Sequence, residues 1–206
     1  MADSLTAVGS VPFFPLEPNW ATLPRSSVRM GRKIHRHEGT IDLIEFITDD
    51  APIVLEMGFT VVEKSEEYDL LDFFYSRLGR HEKFWITWPR EQFILNRDHN
   101  TSEATLDCEL NSANLQYQGY ERIEILMNNG DKVVRQITSI AADETEVELS
   151  LDTVLDRDIT TDGYIKISRL LLVRFDIDEL SMVAETDYVG DFVIRFYELV
   201  NEYGDV

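Results

Sequence analysis

Cysteine is nearly absent: Cys108 is the only one in 206 residues. An intramolecular disulfide and a cysteine-rich zinc site are therefore excluded. Histidine is scarce too, with His35, His37, His81 and His99. His35 and His37 are spaced to share one strand face, but a zinc site needs a third protein ligand, and nothing nearby supplies it. No apolar run approaches the roughly 20 residues that cross a bilayer. The opening stretch MADSLTAVGSVPFFPL lacks the basic and apolar regions of a secretory leader. There is no glycine-rich phosphate loop and no Gly-x-Ser-x-Gly elbow. Asp156, Asp158 and Asp162-Gly163 approximate a calcium loop, but Thr161 stands where that loop needs glycine, and the stretch reads as a solvated turn. Asp176, Asp178 and Glu179 read as a solvated face. No carboxylate pair has a context that would raise one pKa for acid catalysis. The expectation is a protein that is not an enzyme, with no metal, no cofactor and no membrane partner.

Positive charge is also in short supply. Lys and Arg number 19 against 39 Asp and Glu, a net charge of −20. Residues 1–100 carry eleven basic and sixteen acidic side chains, residues 101–206 eight and twenty-three, so the excess sits in the second half. This balance argues against general affinity for nucleic acid, which depends on neutralising phosphates. It suits a surface that must not hold DNA, and equally serves plain solubility.

What the chain does have is strand pattern. Hydrophobic residues make up 44% of it, enough for a sizeable core. Pro12, Pro15, Pro18 and Pro24 punctuate residues 1–36 and favour an extended N-terminal arm. Phe13, Phe14, Leu16 and Trp20 make that arm too apolar to stay free, so it should dock on its own core or on a neighbouring subunit. Between Glu17 and Glu38 there is no acid, while Arg25, Arg29, Arg32, Lys33 and Arg36 are basic. The tract reads either as the complement of an acidic neighbour or as a charged strand edge that discourages stray pairing.

Residues 37–206 read as one β-rich domain. Ile41–Thr48 and Pro52–Val62 are strand runs, with Gly58 marking a bulge or a close contact. A helix is expected over about 65–79. Leu71, Phe74, Tyr75 and Leu78 fall at i, i+3, i+4 and i+7, Ser65 is the N-cap candidate, Arg77 lies in the last turn, and Gly79 follows as the left-handed terminator. Phe84–Trp88 is an aromatic strand stopped by Pro89. A long polar loop at about 96–119 follows, with a short strand at 104–110. Tyr120–Met127 and Asp131–Ile140 flank Asn128-Asn129-Gly130, a strong hairpin signal. Thr145–Leu151 alternates, Tyr164–Phe175 is the longest strand run, and 182–185 and Asp191–Leu199 complete the set. The fold class expected is α+β, predominantly β: a sandwich or barrel with one packed helix.

Three blocks carry a family resemblance. They are Phe13-Phe14-Pro15-Leu16-Glu17-Pro18-Asn19-Trp20; Leu71–Arg80 (LDFFYSRLGR) continuing into Phe84-Trp85-Ile86-Thr87-Trp88; and Ile167–Asp176 (ISRLLLVRFD) with Phe196-Tyr197-Glu198-Leu199. Together they resemble minor tail proteins of long-tailed bacteriophages and gene transfer agents, of the distal tail protein or tail-tip hub type. The resemblance implies a tail-tube-like split β-barrel flanked by a helix. It implies a virion structural protein at the distal tail tip, assembled in the host cytoplasm and forming a ring, hexameric or trimeric. Its expected partners are further copies of itself, the tail tube protein, and the hub and other baseplate proteins. DNA would pass without specific binding. The alternative within the same virion is a tail terminator or head–tail joining protein; outside it, a soluble binding module. On this reading Phe13, Phe14, Trp20, Arg25, Arg29, Arg32, Lys33 and Arg36 are candidates for the oligomer interface. Glu146, Glu148, Asp156, Asp158 and Asp162 are candidates for lining the channel.

Overall fold

β-Branched and aromatic residues in alternation fold most of the chain as strands. The computed structural model describes residues 7–8, 10–17, 25–28, 32–35, 43–46, 53–88, 93–109, 122–142, 146–184, 189–200 and 202. In chain order the elements are β1 (Ala7–Val8), β2 (Val11–Pro12), β3 (Arg25–Val28), β4 (Arg32–His35), β5 (Leu43–Phe46), β6 (Ile53–Val61), α1 (Lys64–Ser76) and β7 (Phe84–Thr87). There follow β8 (Thr105–Glu109), β9 (Arg122–Met127), β10 (Lys132–Ala142), β11 (Glu146–Leu151), β12 (Tyr164–Phe175), β13 (Met182–Ala184) and β14 (Gly190–Glu198). The described fold is thus mostly β with one α-helix, as its alternating runs require. Two compact units divide it: Met1–Phe13, Trp85–Leu171 and Tyr203–Val206 form the first, and Phe14–Phe84 with Leu172–Glu202 the second.

In the first unit, β12, β9, β10, β11 and β8 pair antiparallel in that order. The β9–β10 hairpin turns at Asn128-Asn129-Gly130, where Gly130 has φ 88° and meets no atom that a Cβ would strike. Only glycine takes that angle without strain. β11 alternates as its sequence demands: Glu146 and Glu148 are exposed, while Val147, Leu149 and Leu151 are buried. These side chains join Phe93, Leu106, Ile125 and Ile167 in one buried cluster, where each large side chain contributes about 1.5–3 kcal/mol. The strand ladder is not closed into a barrel, because β8 and β12 do not pair with each other. Residues 93–96 bond to both. The Phe93 N–H donates to the Ile167 carbonyl at 3.3 Å, the Asn96 N–H to the Asp107 carbonyl at 2.9 Å, and the Ile94 carbonyl accepts from the Glu109 N–H at 2.8 Å.

In the second unit, β3 pairs with β6, β6 with β14, and β14 with residues 173–175 of β12. The β6–β14 register runs unbroken from Gly190↔Val61 to Tyr197↔Val54. Gly58 stands directly opposite Val193 within it, so of the bulge or close contact expected there, the bulge is absent. β4 and β5 pair only with each other among the described strands.

The helix corrects the sequence reading in three respects. Its N-cap is Glu63 rather than Ser65, and Glu63 and Glu66 form a reciprocal capping box. Its buried residues are Leu70 and Phe74, with Phe73 half-buried, whereas Tyr75 is 69% and Leu78 66% exposed. The run LLDFFYSRL fits two helical registers one residue apart, and periodicity alone does not choose between them. Arg77 is the C-cap rather than a last-turn residue, and both Leu78 (φ 51°) and Gly79 (φ 60°) are left-handed. The helix seats on a nest of phenylalanines. Phe14 lies 5.0 Å from Phe59, 5.6 Å from Phe73, 5.8 Å from Phe84 and 5.4 Å from Phe196. Phe175 is 4.9 Å from Phe74 and 4.7 Å from Phe84. Mostly tilted and edge-to-face, these pairs add about 0.5–1.5 kcal/mol each beyond area burial.

Candidate interaction surfaces

Carboxylates concentrate where β8 meets β11. The register sets Glu146 opposite Glu109 and Glu148 opposite Asp107, on the side away from buried Leu106, Cys108, Val147 and Leu149. Like charges directly opposite one another destabilise a strand pair. Arg97 offsets part of this: its Nε donates to Asp107 and its Nη1 lies 2.8 Å from Glu103. The other acids expected to line a channel are differently engaged. Asp156 lies 3.5 Å from both Arg135 and Arg157. Asp158 accepts the Thr101 N–H at 3.1 Å. Asp162 is exposed, and its backbone carbonyl accepts from the Asn128 side chain at 2.6 Å. Among the described residues no group of three or more His, Cys, Asp or Glu side chains is placed to hold a metal ion.

The polar text after Leu95 is firmly tied as far as Glu109. His99 and Ile159 exchange two backbone hydrogen bonds of 2.8 Å. Asp98 accepts the Thr161 N–H at 2.7 Å, while Asp158 accepts that of Thr101, so each segment's carboxylate caps the other's backbone. His99 is 2% exposed. Its Nε2 accepts the Asp107 N–H at 3.1 Å, which leaves Nδ1 to donate to Glu103 at 2.9 Å. The Asn100 backbone N–H, then His99 and Arg97, hold the Glu103 carboxyl below its ordinary range against the cost of burial. The sequence reading passed over His99. Its one available signal was the i, i+4 spacing to Glu103.

On the second unit, a charged ladder crosses the sheet. Arg25 lies 3.8 Å from Glu56, Arg195 lies 3.9 Å from Glu56 and 3.7 Å from Asp176. Pairs this exposed are worth about 0–1 kcal/mol. The Arg25 side chain is 85% exposed, which leaves it accessible to a partner. The outer face of α1 presents Tyr68 and Tyr75, 55% and 69% exposed, with exposed Asp69 and Asp72 beside them.

The interface candidates therefore separate. Phe14 belongs to the ring nest of its own unit, and Phe13 bridges Trp85 within the first unit. Arg32 and Lys33 lie on β4. Trp20, Arg29 and Arg36 fall outside the described residues. Compared with protein-family models and with curated proteins, the chain matches none.

Proposed function

We propose that this chain is a structural, non-enzymatic subunit of a phage tail, forming a ring at the distal tip that joins the tail tube to the hub and baseplate. The observation that carries the reading is the meeting of its three sequence blocks in one core. Phe14 from the first block, Phe73, Phe74 and Phe84 from the second, and Phe175 and Phe196 from the third pack ring on ring. The phenylalanines of the three blocks thus share one aromatic core in the second unit, while Phe13, Trp85–Trp88 and Ile167–Leu171 belong to the first.

Two further features agree with it. Residues 93–96 bond both to β12 and to β8, the arrangement that a small split barrel needs at its seam. The facing acids Glu109, Glu146 and Glu148 supply a surface that repels phosphate, as the wall of a DNA channel would. Asp156 pairs with Arg135 and Arg157 and Asp158 caps the Thr101 N–H, so in this proposal the channel role falls mainly to the strand pair. The ring is a hexamer in this proposal, its partners are the tube and hub proteins, and its place is the virion after assembly in the host cytoplasm. Negative-stain imaging of the purified chain tests this directly. Rings with a central hole are expected; uniform single-subunit particles at all concentrations would refute it.

A further inference from the structure

The histidine ring that ties residues 97–103 to β8 has its proton placed by its neighbours. A backbone N–H only donates, so the ring nitrogen facing the Asp107 N–H, Nε2 at 3.1 Å, must keep its lone pair. The one proton of the neutral ring then sits on Nδ1 and is donated to Glu103 at 2.9 Å. Both bonds are made out of reach of bulk water, since His99 is buried. A second proton has no place here. It would add to Nε2 and set donor against donor, with the Asp107 N–H losing its acceptor and a charged N–H left without one.

The charges around the ring do not hold a protonated ring in place. Glu103 attracts it, but that carboxylate is divided among other donors: Arg97 lies 2.8 Å away and the Asn100 N–H donates to it at 3.2 Å. Glu103 also sits on the ring's own segment, so its side chain can keep the contact when the ring turns outward. Asp107, bonded by the same Arg97, Glu148 opposite it on β11, and Asp98 and Asp158 attract a charged ring in either position. What distinguishes the closed position is the bond from the Asp107 N–H, and the second proton removes it.

We propose that His99 is a proton-operated latch: when its ring takes a second proton it leaves the Asp107 N–H, and residues 97–102 lift from residues 158–161. The opening has fixed limits. The Asn96 N–H bonds to the Asp107 carbonyl on one side, and on the other the Glu103 and Ala104 carbonyls accept from the N–H groups of Leu155 and Leu151. The closed clasp binds one proton fewer at His99 than the open one, so its stability falls with pH, beginning where an accessible imidazole gains its proton, about pH 6.5. Glu103 acts in the same direction at lower pH. Its carboxyl, held below the ordinary range first by the Asn100 N–H, stabilises above its unfolded value and loses that contribution as pH falls through the lowered folded one. The latch lies within the first unit and does not depend on the ring reading.

Hydrogen exchange of the full chain tests it, read by mass spectrometry from about pH 8 to about pH 5 and corrected for the intrinsic pH dependence of exchange. Protection of peptides covering residues 97–107 and 158–161 should fall about tenfold over this range, while β9 and β12 keep theirs. H99Q removes the proton site and keeps the bonding pattern, because its amide oxygen accepts where Nε2 does and its amide nitrogen donates to Glu103. It should stay protected throughout. E103Q keeps an acceptor for Nδ1 and should retain the response. Constant protection in the parent overturns the latch. So does an undiminished response in H99Q, a lost response in E103Q, or a fall shared equally by β9 and β12. Should H99Q not fold, the parent and E103Q decide: a fall in both, confined to the two segments, supports the latch.

Discussion

Phe74 and Tyr75 are neighbours in sequence and opposites in environment. Phe74 is 7% exposed and lies 4.9 Å from Phe175, while Tyr75 is 69% exposed. Phe74→Ala should cost about 3–5 kcal/mol by chemical denaturation, and Tyr75→Ala should change subunit stability by less than about 0.5 kcal/mol. Equal costs would mean that the helix is seated in the other register. Cys108 is fully buried, and burial pushes its thiol up to about 12 from an ordinary 9.0. It should resist thiol reagents in the folded protein and react on unfolding. The sign follows from the raised value. The contribution to stability is complete below pH 9 and is lost as pH rises toward the folded value, because the unfolded thiol ionises first. A native thiol that labels at the unfolded rate would contradict the buried placement of β8.

At the scale of elements, local pattern foretold most strands and long-range pairing decided the rest. β11, β12 and the β9–β10 hairpin follow from alternation and from Asn129-Gly130. The sequence reading placed the helix start at Ser65, and the capping box between Glu63 and Glu66 moves it to Glu63. The clasp between residues 98–101 and 158–161 was illegible, since Asp98 and Thr161 are far apart in the chain and their bond depends on the fold. His99→Ala would leave the part-buried Asp107 N–H without its His99 acceptor and should cost about 1–3 kcal/mol. Hydrogen exchange at that amide should accelerate; unchanged protection and stability would dismiss the clasp. The acidic strand pair was equally hidden, because nothing local places Glu109 opposite Glu146. Glu109→Gln removes like-charge repulsion and should raise the melting temperature, by about 0.2–1 kcal/mol of stability. A lowered melting temperature would mean that Glu109 is held by an attractive partner instead.

For the whole molecule, the sequence supplies the charge balance and the fold supplies surfaces. The three sequence blocks on which the proposed role rests could be picked out in the sequence. That the blocks share one phenylalanine nest, and that α1 leaves two tyrosines outside it, required the register of the helix and of β6 against β14. The proposed role demands self-association, and native mass spectrometry of the purified chain over a range of concentrations and ionic strengths reads that demand most directly. A species of six times the 23.9 kDa chain mass is expected, held against the acidic self-repulsion that added salt screens. A single species at the mass of one chain under every condition would contradict the ring.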